Sequence, residues 1–130
     1  MQSPPQLFRQ GDTYWCEPDP QDTVGSEQKG DRIWLIVSLR SRGNGVVALP
    51  LSRHVEKATL PFLITVPSTE ITTVDGTQPV DRVALTDQIR NLDKSRLRKK
   101  SGAVSRRALL AIFAGIDYML GRHFPHPKAK

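Results

Sequence analysis

The chain has 130 residues, of which 38% are apolar and 25% charged, and this composition excludes an intrinsically disordered chain and predicts one hydrophobic core. The formal net charge of +6 favours a polyanionic partner: nucleic acid, an anionic membrane surface or an acidic protein. The single cysteine, Cys16, excludes an intrachain disulfide and is typical of a protein in the reducing cytosol. We therefore expect one cytoplasmic domain over residues 1–130, with flexible ends at 1–10 and 122–130.

Neither the N-terminal stretch nor the longest apolar stretch indicates a membrane segment. Residues 1–10 contain no basic region followed by an apolar one, so we expect no signal peptide. The apolar stretch 108–120 is too short to span a bilayer and contains Asp117. We therefore expect no membrane partner.

The first predicted strand is 11–17, in which alternation places Tyr14 and Cys16 on one face and Trp15 on the other. A polar loop, 19–30, follows this strand. Loops of that length in compact domains are often functional.

The second predicted strand is 32–38, and its apolar run, 33–37, is typical of a strand buried on both faces. Arg32 stands where the polar loop meets this strand. A guanidinium that is anchored at its base and free at its tip is well placed to bind a phosphate bidentately. The alternative is that Arg32 caps the strand or pairs with Asp31 or Glu27.

The rest of the pattern predicts a hairpin turn, three further strands and one helix. Asn44-Gly45 supplies the positive φ angles that a tight hairpin needs. The helix begins after the capping residue Ser105 and ends at Gly121, and its apolar residues recur at helical spacing. The predicted elements are the turn 39–45, the strands 46–51, 60–66 and 83–86, a short helical turn near 93–97 and the helix 106–120. Strands joined by turns, with one helix packed at an end, predict a mainly β fold, a small and mostly antiparallel barrel.

A basic segment, 94–107, contains seven Lys or Arg residues and no acidic residue. Such a run is most often a solvated face. Arg106 and Arg107 lie in the first turn of the predicted helix, where basic groups oppose the helix dipole. Contact with a polyanion explains their position better than helix stability does.

The sequence offers no motif for a metal or a nucleotide cofactor. Its three histidines lie without a cysteine cluster or a paired-histidine helix motif, and no Gly-Lys-Ser/Thr follows the glycines near 25–30. A catalytic triad of Ser52, His54 and Asp87 is disfavoured, because residues two apart on an extended chain rarely have the required geometry. We therefore expect no cofactor and no metal.

Polar residues at the ends of the predicted strands are the remaining candidates for a site. Each one alone has a structural explanation, such as bonding its own turn or pairing with a neighbour. Together they supply a hydroxyl, guanidinium groups and carboxylates, which metal-free phosphodiester chemistry needs. These residues are Glu27, Arg32, Ser52, Arg53, His54, Asp87, Gln88 and Arg90.

Several motifs follow one another along the chain: GDTYW, DP, GSEQKGDR, LIVS, LPLS and VALTDQIRNLDKSRL. The blocks GSEQ-x-G-x-R and DQIR-x-LDKSRL are the most specific. With these motifs the chain resembles, over residues 11–121, the MazF/PemK (Kid) family of toxins from bacterial toxin–antitoxin pairs. The resemblance implies a homodimeric SH3-like β-barrel with a C-terminal helix. It also implies a sequence-specific, metal-independent endoribonuclease that cuts single-stranded RNA, whether mRNA, tRNA or rRNA.

The resemblance implies roles for four residues. Arg32 falls on the family's catalytic arginine, which stabilises the charged phosphorane, and Ser52 falls where the family usually has a threonine that holds the scissile phosphate. Glu27 matches a loop glutamate implicated in activity, and Asp87 matches an acidic position that some members use as the base. The residues expected to contact RNA are Gln28, Lys29, Arg53, His54, Gln88, Arg90, Lys94 and Arg96.

Three residues depart from the family pattern. Ser52 keeps the hydroxyl of the usual threonine but lacks its β-methyl group. Leu85 stands where the members that use the Asp87 position as a base have an arginine, which leaves Arg32 as the sole arginine candidate for the acid. Ile33 replaces a common proline. These departures bear on base specificity more than on reaction class.

The chemistry that the resemblance implies is attack by the RNA's own 2′-hydroxyl, which leaves a 2′,3′-cyclic phosphate and a 5′-hydroxyl. The implied protein partner is an acidic, partly disordered antitoxin that folds over the basic groove. The alternative is a non-catalytic barrel toxin, or an inactive relative, that acts by binding gyrase or the antitoxin.

Overall fold

Eight β-strands and one α-helix occupy most of the residues that the computed structural model describes, which are 8–17, 32–40 and 42–122. The strands are β1 (Asp12–Cys16), β2 (Arg32–Ile36), β3 (Gly45–Ser52), β4 (Leu63–Val66), β5 (Ile71–Thr73), β6 (Arg82–Leu85), β7 (Arg90–Asp93) and β8 (Leu97–Val104), and the helix is α1 (Arg106–Met119). Short 3-10 turns lie at Val55–Lys57, Ser68–Glu70, Thr86–Gln88 and Lys94–Arg96.

The strands form one antiparallel sheet in the order β4-β6-β3-β2-β1-β8-β5, with β7 also paired to β3. The sheet curls into a half-barrel, and α1 packs against β4 and the Thr86–Gln88 turn. The predicted fold, a small mainly β barrel with a C-terminal helix, is confirmed. In the part of the chain that the structure describes, no helix has the length and apolar character needed to cross a membrane.

Each face of the sheet carries its own hydrophobic cluster. The buried residues of the helix-side cluster are Ile33, Leu35, Val37, Leu49, Leu51, Val66, Ala84, Val104, Ala108, Leu109 and Ile112. Those of the opposite cluster are Tyr14, Cys16, Trp34, Ile36, Val46, Ala48, Leu92 and Leu97. Because β2 contributes residues to both clusters in alternation, the predicted burial of 33–37 on both faces is confirmed. The predicted separation of Trp15 from Tyr14 and Cys16 is confirmed in the same way.

The central strand is β3, which has β2 along one edge and two successive partners along the other. Its first half pairs with β7, and its last residues, Leu51 and Ser52, pair with Ala84 and Val83 of β6. Pro50 lies after the residues that pair with β7 and before those that pair with β6. On this edge of β3 a backbone N–H at position 50 would have no strand partner to accept its hydrogen bond. Proline has no N–H to leave unpaired, so it fits a central strand at this position.

Three of the strands, β5, β7 and β8, are not predicted from the sequence. Charge conceals the pattern in β8, where Leu97, Ser101 and Val104 are buried and residues 98–100 are exposed. The basic segment 94–107 therefore consists mainly of strand β8, and its cationic side chains at 98–100 are exposed to solvent.

The turn that enters β3 differs from its prediction. The positive φ lies at Gly43, at 60°, and no non-glycine residue in the described ranges has one. Gly45 is already the first residue of β3. The prediction of positive φ at Asn44-Gly45 is therefore wrong, because the turn takes its left-handed conformation at Gly43, where the missing Cβ removes the steric cost.

Residues 8–10, which we expect to be flexible from the sequence, contact the sheet. The Phe8 and Tyr14 ring centroids are 5.1 Å apart, and Gln10 Nε2 donates to the carbonyl oxygen of Val37 at 2.9 Å. Residues 1–7 and 123–130 lie outside the described residues.

The helix begins and ends where the sequence predicts. Ser105 Oγ accepts a hydrogen bond from the backbone N–H of Ala108 at 3.0 Å, and Gly121 has a φ of 77°. Ser105 Oγ also donates to Glu70 Oε1, so the cap ties the helix to the turn before β5. At Gly115 an added Cβ would lie 2.7 Å from Ile64 Cγ1, which shows how closely the helix approaches β4.

Replacement of Ser105 by Ala should lower the free energy of unfolding by about 0.5–2 kcal/mol, because the Ala108 N–H and Glu70 both lose their partner. Urea unfolding followed by circular dichroism measures the change. Ser105→Thr keeps the hydroxyl and is the control. An S105A protein as stable as wild type would contradict the capping role.

Candidate functional site

The antiparallel register brings basic and hydroxyl side chains together at one end of three neighbouring strands. Ile33 of β2 pairs with Leu51 of β3, and continuing that register by one residue sets Arg32 opposite Ser52. On the other edge of β3, Ser52 pairs with Val83, and the same continuation sets Arg53 opposite Arg82.

These strand ends open into a cleft of about 200 Å³ that we call the arginine cleft. It is lined by Trp15, Arg32, Ile33, Leu51, Ser52, Arg53, His54 and Arg82. Three guanidinium groups and one hydroxyl thus share a single concave site, and no carboxylate belongs to this described lining. An anion with several oxygen atoms, such as a phosphate, matches this set of donors.

Ser52 is held with its hydroxyl ready to donate. Its side chain is buried, and Oγ accepts a hydrogen bond from the His54 backbone N–H at 3.0 Å. Because that bond uses an acceptor lone pair of Oγ, the hydroxyl O–H can still donate a hydrogen bond to a phosphate oxygen. His54 Nδ1 lies 3.4 Å from Glu56 Oε2, so the imidazole pairs with Glu56, and the disfavoured triad with Asp87 is not formed.

Arg82 is a site residue that the sequence reasoning missed. It begins β6, is partly buried, and donates from Nη1 to the carbonyl oxygen of Leu51 at 3.2 Å. Desolvation, and then the nearby charge of Arg53, lower the pKa of its guanidinium. Arg32 is therefore not the sole arginine at this site. The available signal was the repeated Asp-Arg before a β-branched strand residue, at 31–33 and again at 81–83.

Arg32 also lines a second cleft, of about 310 Å³, which we call the Gln88 cleft. Its other lining residues are Trp34, Gln88, Ile89 and Arg90. A guanidinium and an amide side by side offer both donors and an acceptor to a base edge. Arg32 therefore lies on the boundary between a site rich in positive charge and a site with mixed polar and apolar walls.

Trp15 forms one wall of the arginine cleft, and Asp75 holds it in place. The indole Nε1–H donates to Asp75 Oδ2 at 2.7 Å. Hydrogen bonds from Thr77 and then from Trp15 lower the pKa of Asp75 to about 2. The carboxylate therefore stays ionised and fixes the indole plane at neutral pH.

The structure does not gather all the predicted site residues. Asp87 is exposed on the Thr86–Gln88 turn and lines neither cleft. Lys94 Nζ lies 5.8 Å from the centroid of the Phe8 ring, and Arg96 Nη2 donates to the backbone oxygen of Glu17 at 2.6 Å, both away from the two clefts. The predicted site residues Glu27, Gln28 and Lys29 lie outside the described residues.

No group of three His, Cys, Asp or Glu side chains within the described ranges could hold a metal ion. The arginine cleft offers guanidinium and hydroxyl donors, which suit an anion and repel a cation. Fold and site together define a small half-barrel protein with a cleft at its strand ends whose described lining carries guanidinium and hydroxyl groups.

A family model for PemK-like, MazF-like toxins of type II toxin–antitoxin systems matches residues 9–120. The chain is 31% identical over 121 residues to the endoribonuclease MazF of Staphylococcus saprophyticus, which spans 90% of this chain and 94% of that protein. The chain therefore belongs to the family of PemK-like, MazF-like toxins.

Two solved structures have the same fold. The crystal structure of MazF from Deinococcus radiodurans matches with a TM-score of 0.67 and 23% identity, over 90% of this chain and 99% of that one. A mycobacterial endoribonuclease in complex with its cognate antitoxin matches with a TM-score of 0.65 and 22% identity, over 92% of this chain and all (100%) of that one.

Replacement of Asp75 by Asn should remove a pH-dependent part of the stability. Because the folded-state pKa is about 2 and the ordinary value is 3.8, the carboxylate stabilises the fold fully above pH 3.8 and loses this effect as the pH falls toward 2. The melting temperatures of wild type and D75N should therefore differ most at neutral pH and converge on acidification. A constant difference from neutral pH to about pH 2 would contradict the assignment.

Proposed function

We propose that this protein is the toxin of a type II toxin–antitoxin pair and acts as a sequence-specific, metal-independent endoribonuclease on single-stranded RNA. The observation that supports the proposal is that Arg32 and Ser52 line one cleft together with two further arginines. The endoribonuclease name of the staphylococcal relative supports the substrate class.

In the proposed mechanism the scissile phosphate occupies the arginine cleft. The ribose 2′-oxygen loses its proton to the base and attacks phosphorus, the bond from phosphorus to the 5′-oxygen breaks, and the 5′-oxygen takes up a proton from solvent water. Arg32 stabilises the extra negative charge of the phosphorane, and the Ser52 hydroxyl donates a hydrogen bond to a non-bridging oxygen. Arg32 acts by its charge, because a guanidinium stays protonated far above neutral pH and is therefore a poor proton donor.

The base that takes the 2′-hydroxyl proton is Glu27 or Asp87 in this proposal. Asp87 is exposed and precedes Gln88 in the chain, and it lines neither cleft, so it would have to reach the substrate from the Thr86–Gln88 turn. Glu27 lies outside the described residues. The variants Glu27→Gln and Asp87→Asn distinguish the two candidates. Only the variant that removes the true base should abolish cleavage while leaving RNA binding intact.

Sequence preference comes, in this proposal, from the Gln88 cleft. A nucleotide next to the scissile phosphate lies against Trp34 and Ile89, and the Gln88 amide hydrogen-bonds its base edge. Arg53, His54 and Arg90 border the two clefts and extend the contact along the RNA strand.

We also infer an acidic antitoxin, a homodimeric toxin and a cytoplasmic location. The net charge of +6 and the absence of carboxylates among the described residues that line the arginine cleft favour an acidic segment that competes with RNA for the same groove. The mycobacterial structural neighbour is described in complex with its cognate antitoxin. The single cysteine, Cys16, is buried and reduced, as is typical of cytosolic proteins.

Purified protein should cut a long RNA in the presence of EDTA, and Arg32→Ala should lower kcat by about 10²–10³. Mapping of the cut ends should give a 2′,3′-cyclic phosphate and a 5′-hydroxyl. Arg122→Gln is the matched control, because Arg122 is exposed and pairs with Asp117 at 3.2 Å. Intact RNA with wild-type protein would overturn the nuclease and favour a toxin that acts by protein binding.

Ser52→Ala should reduce kcat by about tenfold or more, because one hydroxyl donor to the phosphorane is lost. Ser52→Thr keeps the donor and should retain activity within a few-fold. Single-turnover cleavage separates the effect on kcat from an effect on RNA binding. Equal activity of the Ala and Thr variants would remove Ser52 from the mechanism.

A further inference from the structure

Arg53, the residue after β3, and Arg82, the first residue of β6, are neighbouring like charges in the lining of the arginine cleft. They follow the last printed pair of the two strands, Ser52 with Val83, and the charge of Arg53 contributes to the lowered pKa of Arg82. Like charges directly opposite on a sheet destabilise it. A sequence selected for the fold alone gains nothing from this pair.

No negative side chain of the described chain compensates the pair. No carboxylate in the described ranges forms an ion pair with Arg53 or Arg82. Asp81, the acidic neighbour of Arg82, accepts a hydrogen bond from the backbone N–H of Ser68 at 2.8 Å. Arg82 is thus partly desolvated with one hydrogen bond to Leu51, and most of its five N–H donors are left for a ligand.

Arg53 and Arg82 place two positive charges in the lining of the arginine cleft besides that of Arg32. One RNA linkage carries a single negative charge, so a scissile phosphate held by Arg32 and Ser52 leaves the charges of Arg53 and Arg82 without an anion from the described residues. The strands β2 and β6 flank β3, so their backbones lie about 10 Å apart. Long side chains reaching in from both flanks therefore define two anion positions in one cleft.

We propose that Arg53 and Arg82 form a second phosphate subsite, beside Arg32 and Ser52, that binds the phosphate adjacent to the scissile one in the same RNA strand. This inference rests on the proposed function, because it takes the Arg32–Ser52 position as that of the scissile phosphate. The RNA backbone then crosses the strand ends from β2 over β3 to β6. Arg82 is a substrate-binding residue in this arrangement, and its loss weakens binding more than it slows chemistry.

The test uses a synthetic single-stranded oligonucleotide that contains the mapped cut site, with a 2′-O-methyl group there to prevent cleavage. Two further versions each carry one neutral methylphosphonate linkage. It replaces the linkage on the 5′ side of the cut site in one version and the linkage on the 3′ side in the other. Fluorescence anisotropy gives the Kd of each oligonucleotide for wild type, Arg82→Gln, Arg53→Gln and the control Arg122→Gln. Arg53 is exposed, so its variant keeps the test valid if R82Q fails to fold.

One flanking methylphosphonate should weaken wild-type binding by about tenfold and leave the already weakened R82Q and R53Q unchanged within about twofold. The slope of log Kd against log salt concentration should decrease by about 0.7 for each cleft arginine removed. The slope should not change for R122Q. The subsite would be overturned if the R82Q and R53Q variants bound the fully charged oligonucleotide as tightly as wild type does. It would also be overturned if each variant lost the same factor in affinity for the fully charged oligonucleotide and for both methylphosphonate versions.

Failure of the nuclease and failure of the subsite give different results. If wild type cleaves RNA but the arginine variants and the methylphosphonate linkages weaken binding independently of one another, the proposed function stands and the subsite is ruled out. If wild type cuts no RNA, the salt dependence on a 2′-O-methyl oligouridylate decides: an unchanged value for R82Q and R53Q removes the subsite, and a decrease supports it.

Discussion

The site depends on the register of β3 between β2 and β6. Backbone pairing sets Ile33 against Leu51 and Ser52 against Val83, and the strand ends then carry Arg32, Ser52 and the later arginines into one cleft. A slip of one residue would turn every side chain of a strand to the other face and would bury charges in the two apolar clusters. The clusters on both faces therefore fix the position of the cationic groups.

The arginine cleft is held open at some cost in stability. Arg82 is partly buried beside the like charge of the exposed Arg53, and desolvation and then that charge lower the pKa of its guanidinium. Two cations of β8 do have acidic partners, since Arg98 pairs with Glu17 and Lys100 Nζ lies 3.3 Å from Asp12 Oδ2. Arg53 and Arg82 have no such ion pair within the described residues, although the sequence shows all four cations as one excess of positive charge.

The supporting walls are less charged and more rigid. Trp15 is oriented by an ionised Asp75 that lies 60 residues later in the chain, and the Ser105 cap ties α1 to the turn before β5. Such contacts between distant segments fix the walls of the site. They also explain why a long connection between β5 and β6 belongs to the functional end of the molecule.

The sequence by itself determined the mainly β class, β1 and β2, the capped helix and the candidacy of Arg32 and Ser52, because apolar alternation and capping are local signals. It did not reveal β5, β7 or β8, whose short or charged segments gain strand structure only from their neighbours. Tertiary structure alone decided that Arg82 joins Arg32 in one cleft, and that Lys94 and Arg96 lie apart from it. The physical reason is that pairing between strands distant in sequence decides which side chains meet, and a local pattern carries no record of that pairing.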